Sequence, residues 1–440
     1  MIENKRLRFK RSEILIPEGL PEAVEESAPG RVLRWYVAQA GADEVVVEAT
    51  IDSEPLERFD DSVLGEHYPG KTVAVSIIPT GVGCSVGGFA GDAAPATRLL
   101  SAATDYLITN PNAVNASDFI RLDANVLYAE GYCIDLFSRG LVNLYLPYAN
   151  RVGVIIERSS EAKLDLAFNV INAVRAVHGV DIEHCVITDG PIGSRSCRNE
   201  SGAFVGTLDH PEVLADACQS LLRKGVDAIA VASNVQDLSP AEYALHFAGQ
   251  IPNPVGGVEA IISHSIVNRF RVPAAHAPLQ NVRDLDLESA VVDARAAGEM
   301  ASPSGLACVL LGLARAPQIV PRPGRRSRDI VNLNNLLAVV APATCLGGIP
   351  ALFAQRAGIP VIAVASNESL LEITAEQMRL EGVVQVASYA EAAGVLLALR
   401  HGLALQSLVR PLATLRHAAA QRSLSAPRRS GSAVAALSER

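Results

Sequence analysis

Residues 336–370, LLAVVAPATCLGGIPALFAQRAGIPVIAVASNESL, decide the fold class. An apolar run ends at Pro342, a turn with paired glycines follows, a segment of helical period opens at Ile349, and a second apolar run starts at Val361. Short apolar runs bounded by glycine and proline read as buried strands, and strands alternating with helices imply a parallel sheet. The alternation continues through VVQVAS and YAEAAGVLLALRHG, so residues 330–412 read as a doubly wound unit with its loops gathered at one sheet edge.

Working outward, RVLRWYVAQ, EVVVEATI, TVAVSIIP, RVGVIIER, HCVITD and DAIAVAS read as further strands. EAKLDLAFNVINAVRAVHG and PEVLADACQSLLRKG read as covering helices that close on glycine. The expected architecture is α/β, a largely parallel sheet covered by helices, in two lobes. Its divisions are a strand-rich segment over 1–70, a glycine-rich-loop α/β domain over 71–320, the doubly wound unit over 330–412 and a disordered tail over 420–440. The proline- and arginine-rich stretch ARAPQIVPRPGRRSRD marks the junction before the third.

The chain has 440 residues, 49% of them hydrophobic and 19% charged, enough apolar surface for a large core. A net charge of -9 argues against nucleic acid, which requires a basic face to displace counterions. The seven cysteines are odd in number, scattered and free of any C-x-x-C pair, as reduced thiols in a cytoplasmic protein are. The basic amino terminus lacks the apolar core of a secretory signal, and the uncharged stretch Leu336 to Gln355 is broken by prolines and glycines, so no membrane contact is expected. The expected partner is a small anionic metabolite, with assembly into a homo-oligomer left open.

The chemistry-bearing residues cluster in loops. In PTGVGCSVGGFAGDA, residues 79–93, Gly81, Gly83, Gly87 and Gly88 let backbone N–H groups approach a ligand ahead of a helix that opens near Pro95. The pattern is neither a phosphate-binding Walker loop nor a dinucleotide fingerprint, so the cofactor is unknown. Cys84 in that loop reads as a nucleophile, a base or a small buried residue, and Asp92 as an acid, a base or a helix cap. Asn110, Asn112 and Asn115 follow an apolar run, where amides bind anions or simply form turns. Glu130 reads as a general base or a solvated carboxylate. Asp189, Arg195 and Arg198 sit in a loop that either clamps an anion or is merely solvated. Asn234 and Asn367 each end an Ala-Ser-Asn strand, as ligand contacts or helix caps.

Glu259, His264 and His276 invite a metal reading, yet on a helix Glu259 and His264 are about 140° apart around the axis. No metal site is therefore assigned, and both histidines stand as acid/base or structural residues. Cys345 repeats the theme of Cys84: apolar strand, proline, cysteine, glycine, helix. The two thiols either face one substrate from opposite sides or are independent buried cysteines.

The strings PTGVGCSVGGFAGDA, LITNPNAVNAS, YAEGYCIDLF, GGVEAIISH and PAAHAP, in that order, resemble an uncharacterised family known as a domain of unknown function. The resemblance runs from about Val73 to Leu412 and implies no established activity. It also implies an acidic residue after the loop cysteine, where this chain has Ser85.

The reading that follows is an enzyme of lyase or isomerase type moving protons on an anionic substrate with Asp92, His264 or His276. A noncatalytic metabolite-binding regulator and a metal-assisted hydrolase are the alternatives. Because Gly83, Asp189, Asn234, Cys345 and Asn367 all follow expected strands, they are expected to line one cleft.

Overall fold

The structure is a computed structural model that describes residues 1–54, 70–114, 123–236, 238–279, 291–302, 304–320, 330–412 and 414–415. Its largest sheet has six parallel strands in the order Val384–Val386, Val361–Val364, Leu336–Pro342, Val73–Ser76, Tyr106–Thr109 and Val126–Tyr128. The chain winds outward in both directions from the central pair, which makes the crevice between Val73–Ser76 and Leu336–Pro342 the topological switch point. The fold is therefore α/β, as the alternation of runs implied.

The division at 320–330 does not coincide with the sheets. Residues 330–412 supply only half of the large sheet, and the other half comes from 73–128. A three-stranded half would bury the edge of Leu336–Pro342 with its N–H and C=O groups unpaired. Pairing with Val73–Ser76, from Leu336 opposite Val73 to Val340 opposite Ser76, satisfies them. Likewise, the stretch read as a connector contains a strand, Gln318–Val320, paired with Asn143–Tyr145. The tail over 420–440 lies outside the described residues.

A second parallel sheet of four strands is ordered Ala274–Pro278, Ala228–Ser233, Val152–Ile156 and His184–Ile187. The hairpin Ser194–Arg198 and Phe204–Leu208 pairs separately with Val235–Gln236. At the amino end, Ile2–Lys10, Glu44–Asp52 and Arg31–Ala40 form an antiparallel sheet. Its first strand was hidden in the sequence by charge, yet the charge has a structural use. Arg6 lies 3.7 Å from buried Glu48, which accepts hydrogen bonds from Tyr36 Oη at 2.6 Å and the Ser201 N–H at 3.1 Å. That network ties the amino-terminal sheet to the hairpin.

The helix Gly256–Phe270 is buried from Gly256 to Asn268 on most of its circumference, the mark of a core helix. It opens on paired glycines because nothing larger fits. A Cβ on Gly257 would lie 2.2 Å from the Phe204 carbonyl oxygen, and one on Gly256 would lie 2.6 Å from the Thr80 side chain. The helix thereby presses its first turn against both the hairpin and the glycine-rich loop.

Two substitutions test this account of packing. Gly257→Ala should destabilise the protein by about 1–3 kcal/mol, because backbone rather than a flexible side chain must give way. Gly394→Ala, in the helix Tyr389–Arg400 with nothing within 4 Å of the added methyl, should instead be neutral or stabilise by up to about 1 kcal/mol. Urea midpoints at constant slope measure both.

Candidate functional site

A cavity of about 170 Å³ opens at the carboxyl ends of the large sheet, beside the switch point. Its floor is the backbone after Val73–Ser76, Tyr106–Thr109 and Leu336–Pro342, and its roof is the strand Arg31–Ala40. The helix Gly256–Phe270 and His276 close one side.

Glu130 ends the strand run at 126–128 and caps the helix Gly131–Ser138, accepting from the Tyr132 N–H at 3.0 Å and from the Cys133 N–H. It is not the solvated carboxylate that its neighbourhood in sequence suggests, being only 4% exposed. His264 Nε2 lies 3.2 Å from Glu130 Oε2, while His264 Nδ1–H donates to the Leu33 carbonyl at 3.1 Å. With Nδ1 carrying the ring proton, Nε2 has a lone pair to offer, and the proton between the two groups belongs to Glu130. Electrostatics agree. Burial pushes the Glu130 carboxyl up to about 8 and the His264 imidazole down to about 3, so both are neutral at pH 7. The ring can come this close because residue 131 is glycine: a Cβ there would sit 2.8 Å from Nε2.

His276 is held in a parallel manner. Its Nε2 lies 2.8 Å from Ser233 Oγ, which in turn lies 3.3 Å from Ser194 Oγ. Its Nδ1 lies 3.8 Å from Glu259 Oε1 and, although buried, has no hydrogen-bond partner. Glu259 and His264 thus diverge around their helix as their spacing requires, and each meets a partner from a different element. Among the described residues no group of three or more His, Cys, Asp or Glu side chains is arranged to hold a metal ion.

Arg34 is the cavity's cation, and it was missed in the sequence because it sits in an apolar strand where alternation points it to solvent. Its Nη2 donates to the Thr80 carbonyl at 2.6 Å and its guanidinium lies 5.3 Å from the Tyr36 ring centre. Its Nη1 is buried without a hydrogen-bond partner. Asp135, also on the cavity wall, is raised by burial to about 7 against the pull of Arg139 and Arg34.

Of the other candidates, Asn110 and Asn112 both line this cavity, and Asn110 also clamps the loop beneath it, accepting from the Ile78 N–H at 3.1 Å and donating to the Ile78 carbonyl at 2.8 Å. Asn367 clamps the same loop from the other side through Val86 N at 2.8 Å and Val86 O at 2.9 Å. Asn115 lies outside the described residues. The loop's glycines serve packing: a Cβ would strike Phe204 O from Gly81, the Ile78 side chain from Gly87 and Cys84 O from Gly88, at 2.3–2.4 Å. Gly83 packs on Pro252, and with Cys84 and Gly88 it lines a second cavity of about 210 Å³ that Arg295 and Leu370 also border. Asp92 accepts from the Phe89 N–H at 3.3 Å and is raised by burial to about 6.

The expectation of one cleft is corrected by the topology. Asp189 follows a strand of the other sheet, is fully exposed and lies 4.0 Å from Arg158. Arg195 pairs with Asp209 at 2.7 Å, Arg198 Nε donates to the Gly202 carbonyl at 3.1 Å, and the Asn234 N–H donates to Glu157 at 2.6 Å. None of these lines either cavity. Cys84 and Cys345 are brought near each other, because the Ser85 N–H donates to the Glu368 carbonyl at 2.8 Å and Ser369 Oγ lies 2.9 Å from Cys345 Sγ, while Cys84 Sγ faces the Pro79 carbonyl at 3.8 Å.

The sequence pattern of a family described as protein of unknown function (DUF3326) matches residues 73–409. The chain belongs to the DUF3326 family. The match opens at the first strand of the large sheet, so it takes in Glu130, His264 and His276 and leaves out Arg34. The DUF3326 chain is also 38% identical, over 355 residues, to an uncharacterized lipoprotein of a Synechococcus species, covering 79% of this chain and 97% of that protein. No solved structure matches it.

The Glu130–His264 pair makes a signed prediction. Glu130 binds its proton more tightly than the ordinary 4.5, so its contribution to stability falls as pH rises from 4.5 to about 8. His264 is shifted oppositely, so its contribution falls as pH drops from 6.5 to about 3. Between pH 6.5 and 8 the Glu130 loss acts without that counterweight. Glu130→Gln keeps a neutral side chain, so across this interval the variant should gain stability relative to wild type in urea titrations. A difference that does not change with pH would mean that Glu130 is already ionised.

Proposed function

We propose that the DUF3326 chain binds a compact carboxylate or phosphate metabolite in the cavity beside the switch point and transfers protons on it, in lyase or isomerase chemistry. The observation that carries this reading is the buried Arg34 Nη1, without a hydrogen-bond partner, on a cavity shared with two oriented histidines. A buried N–H left unpaired is costly, and a charged one more so; an anion that accepts from it removes that penalty. The cavity volume of about 170 Å³ is close to that of the engineered cavity of about 150 Å³ that admits benzene, which favours a small ligand.

The acid/base roles follow from the two pairs. His276 Nδ1, with Nε2 anchored on Ser233, is the base, and Glu259 stabilises the imidazolium that forms. Glu130, protonated at neutral pH because it is buried, is the acid that delivers a proton on the opposite side of the reacting group. Asn112 and Arg34 hold the anion. A cytoplasmic location belongs to the same proposal and is supported by seven free cysteines. The Synechococcus relative's designation as a lipoprotein favours a membrane-attached site instead. No helix among the described residues is long and apolar enough to cross a membrane. Fractionation of the source cells decides between the two locations.

The functional test uses a panel of small carboxylates and phosphates in D₂O, with loss of C–H signal followed by NMR. Exchange should occur with at least one member and fall by about 10²–10⁴-fold in His276→Gln and Glu130→Gln. Arg34→Met should abolish thermal stabilisation by that same compound. Stabilisation without exchange, unchanged in His276→Gln, would identify a sensor, and stabilisation that survives Arg34→Met would overturn the anion site.

A further inference from the structure

We propose that Cys84 and Cys345 form a working dithiol, in which Cys345 is the nucleophile, Cys84 the resolving thiol and a peroxide the oxidant. The two cysteines stand on the turns that leave the adjacent strands Val73–Ser76 and Leu336–Pro342, and strand pairing brings those turns together. Their loops are tied together by backbone, the Ser85 N–H donating to the Glu368 carbonyl at 2.8 Å and the Leu370 N–H to the Val82 carbonyl at 2.9 Å, on either side of Ser369. Ser369 Oγ lies 2.9 Å from Cys345 Sγ, and Thr344 Oγ1 lies 2.9 Å from Ser369 Oγ. Cys345, partly exposed, lines the first cavity, and Cys84, 1% exposed, lines the second.

This asymmetry assigns the roles. Hydrogen bonds from Cys84, Ser369 and Thr344 lower the Cys345 thiol below its ordinary value despite burial. Cys84 is pushed well above its own by donating that bond and by burial. The more readily ionised sulfur, and so the better nucleophile, is therefore the one that a small molecule in the first cavity can reach. Cys185 and Cys197 are partly exposed too, but burial raises both.

The Cys345 thiolate attacks a peroxide oxygen, the S–O bond forms as the O–O bond breaks, and the alkoxide or hydroxide leaves and takes a proton from water. The sulfenic acid on Cys345 is then attacked by the Cys84 sulfur; the S–S bond forms, the S–O bond breaks, and water departs with the Cys84 proton. Two thiols are oxidised to a disulfide and one peroxide is reduced. An external dithiol, itself oxidised, restores the pair. Neither sulfur has a part in the acid–base chemistry proposed for the first cavity.

The experiment treats the full chain with hydrogen peroxide, alkylates the remaining thiols and maps peptides by mass spectrometry. A disulfide linking the Cys84 and Cys345 peptides is expected before Cys185 or Cys197 is oxidised. Cys84→Ser should let a sulfenic acid accumulate on Cys345, trapped by dimedone, and Cys345→Ser should leave Cys84 reduced. A measurement on the unaltered chain guards against variants that misfold: iodoacetamide at pH 7 should label Cys345 about tenfold faster than Cys185 or Cys197. Oxidation of Cys345 with no link to Cys84, or labelling of Cys345 no faster than the other two, would overturn the proposal.

Discussion

The parallel pairing of Val73–Ser76 with Leu336–Pro342 is the constraint on which the rest depends. These strands come from distant parts of the chain, and each is followed by a glycine- and cysteine-bearing turn. Their register sets where both turns fall, and with them the cavity floor, the approach of the two cysteines and the loop that Asn110 and Asn367 hold by its backbone. Buried amides bonding both N–H and C=O of one residue act as substitutes for a missing neighbouring strand. The loop is thus fixed by side chains where the sheet ends.

The second organising element is the buried helix Gly256–Phe270, which carries Glu259 and His264 into an apolar interior. Burial of ionisable groups is tolerable when they are neutral or paired, and both solutions occur. Glu130 and His264 share one proton without net charge, while Glu259 keeps a little exposure at 19% of its side chain beside His276. The same helix holds the antiparallel amino-terminal sheet, through the bond from His264 to Leu33, so the roof of the cavity and the tautomer of its histidine are set by one contact.

Much of this was legible in the sequence, and the failures are physical. Each apolar run assigned as a strand contains one, and the three longer helical segments span Glu161–His178, Pro211–Arg223 and Tyr389–Arg400. Glu130, His276 and Cys345 all line the first cavity, although His276 sits within the strand Ala274–Pro278 and not in the rigid loop its flanking prolines suggested. What the pattern lacked was sheet membership: Asp189 and Asn234 also end parallel strands, but strands of the other sheet, whose edge is a different place. Arg34 was invisible because alternation in a strand assumes one solvated face, and here that face is covered by the cavity. The glycine-rich loop looked like a ligand cradle for a related reason. Close approach to protein backbone, at Phe204 or Cys84, demands the same missing side chains as close approach to a ligand.

The central pairing has a further consequence for how the molecule comes into being. During synthesis Val73–Ser76 emerges long before Leu336–Pro342, so one flank of the nascent three-stranded half stays without its partner while most of the chain is made. Contacts of such long sequence separation form late and slowly. A nascent chain lacking its last quarter therefore has Glu130, His264 and His276 but no completed floor beneath them, and the cavity forms only once the final strands have been made. Holdase protection of that open flank, rather than help with any local element, is what this topology asks of the cell.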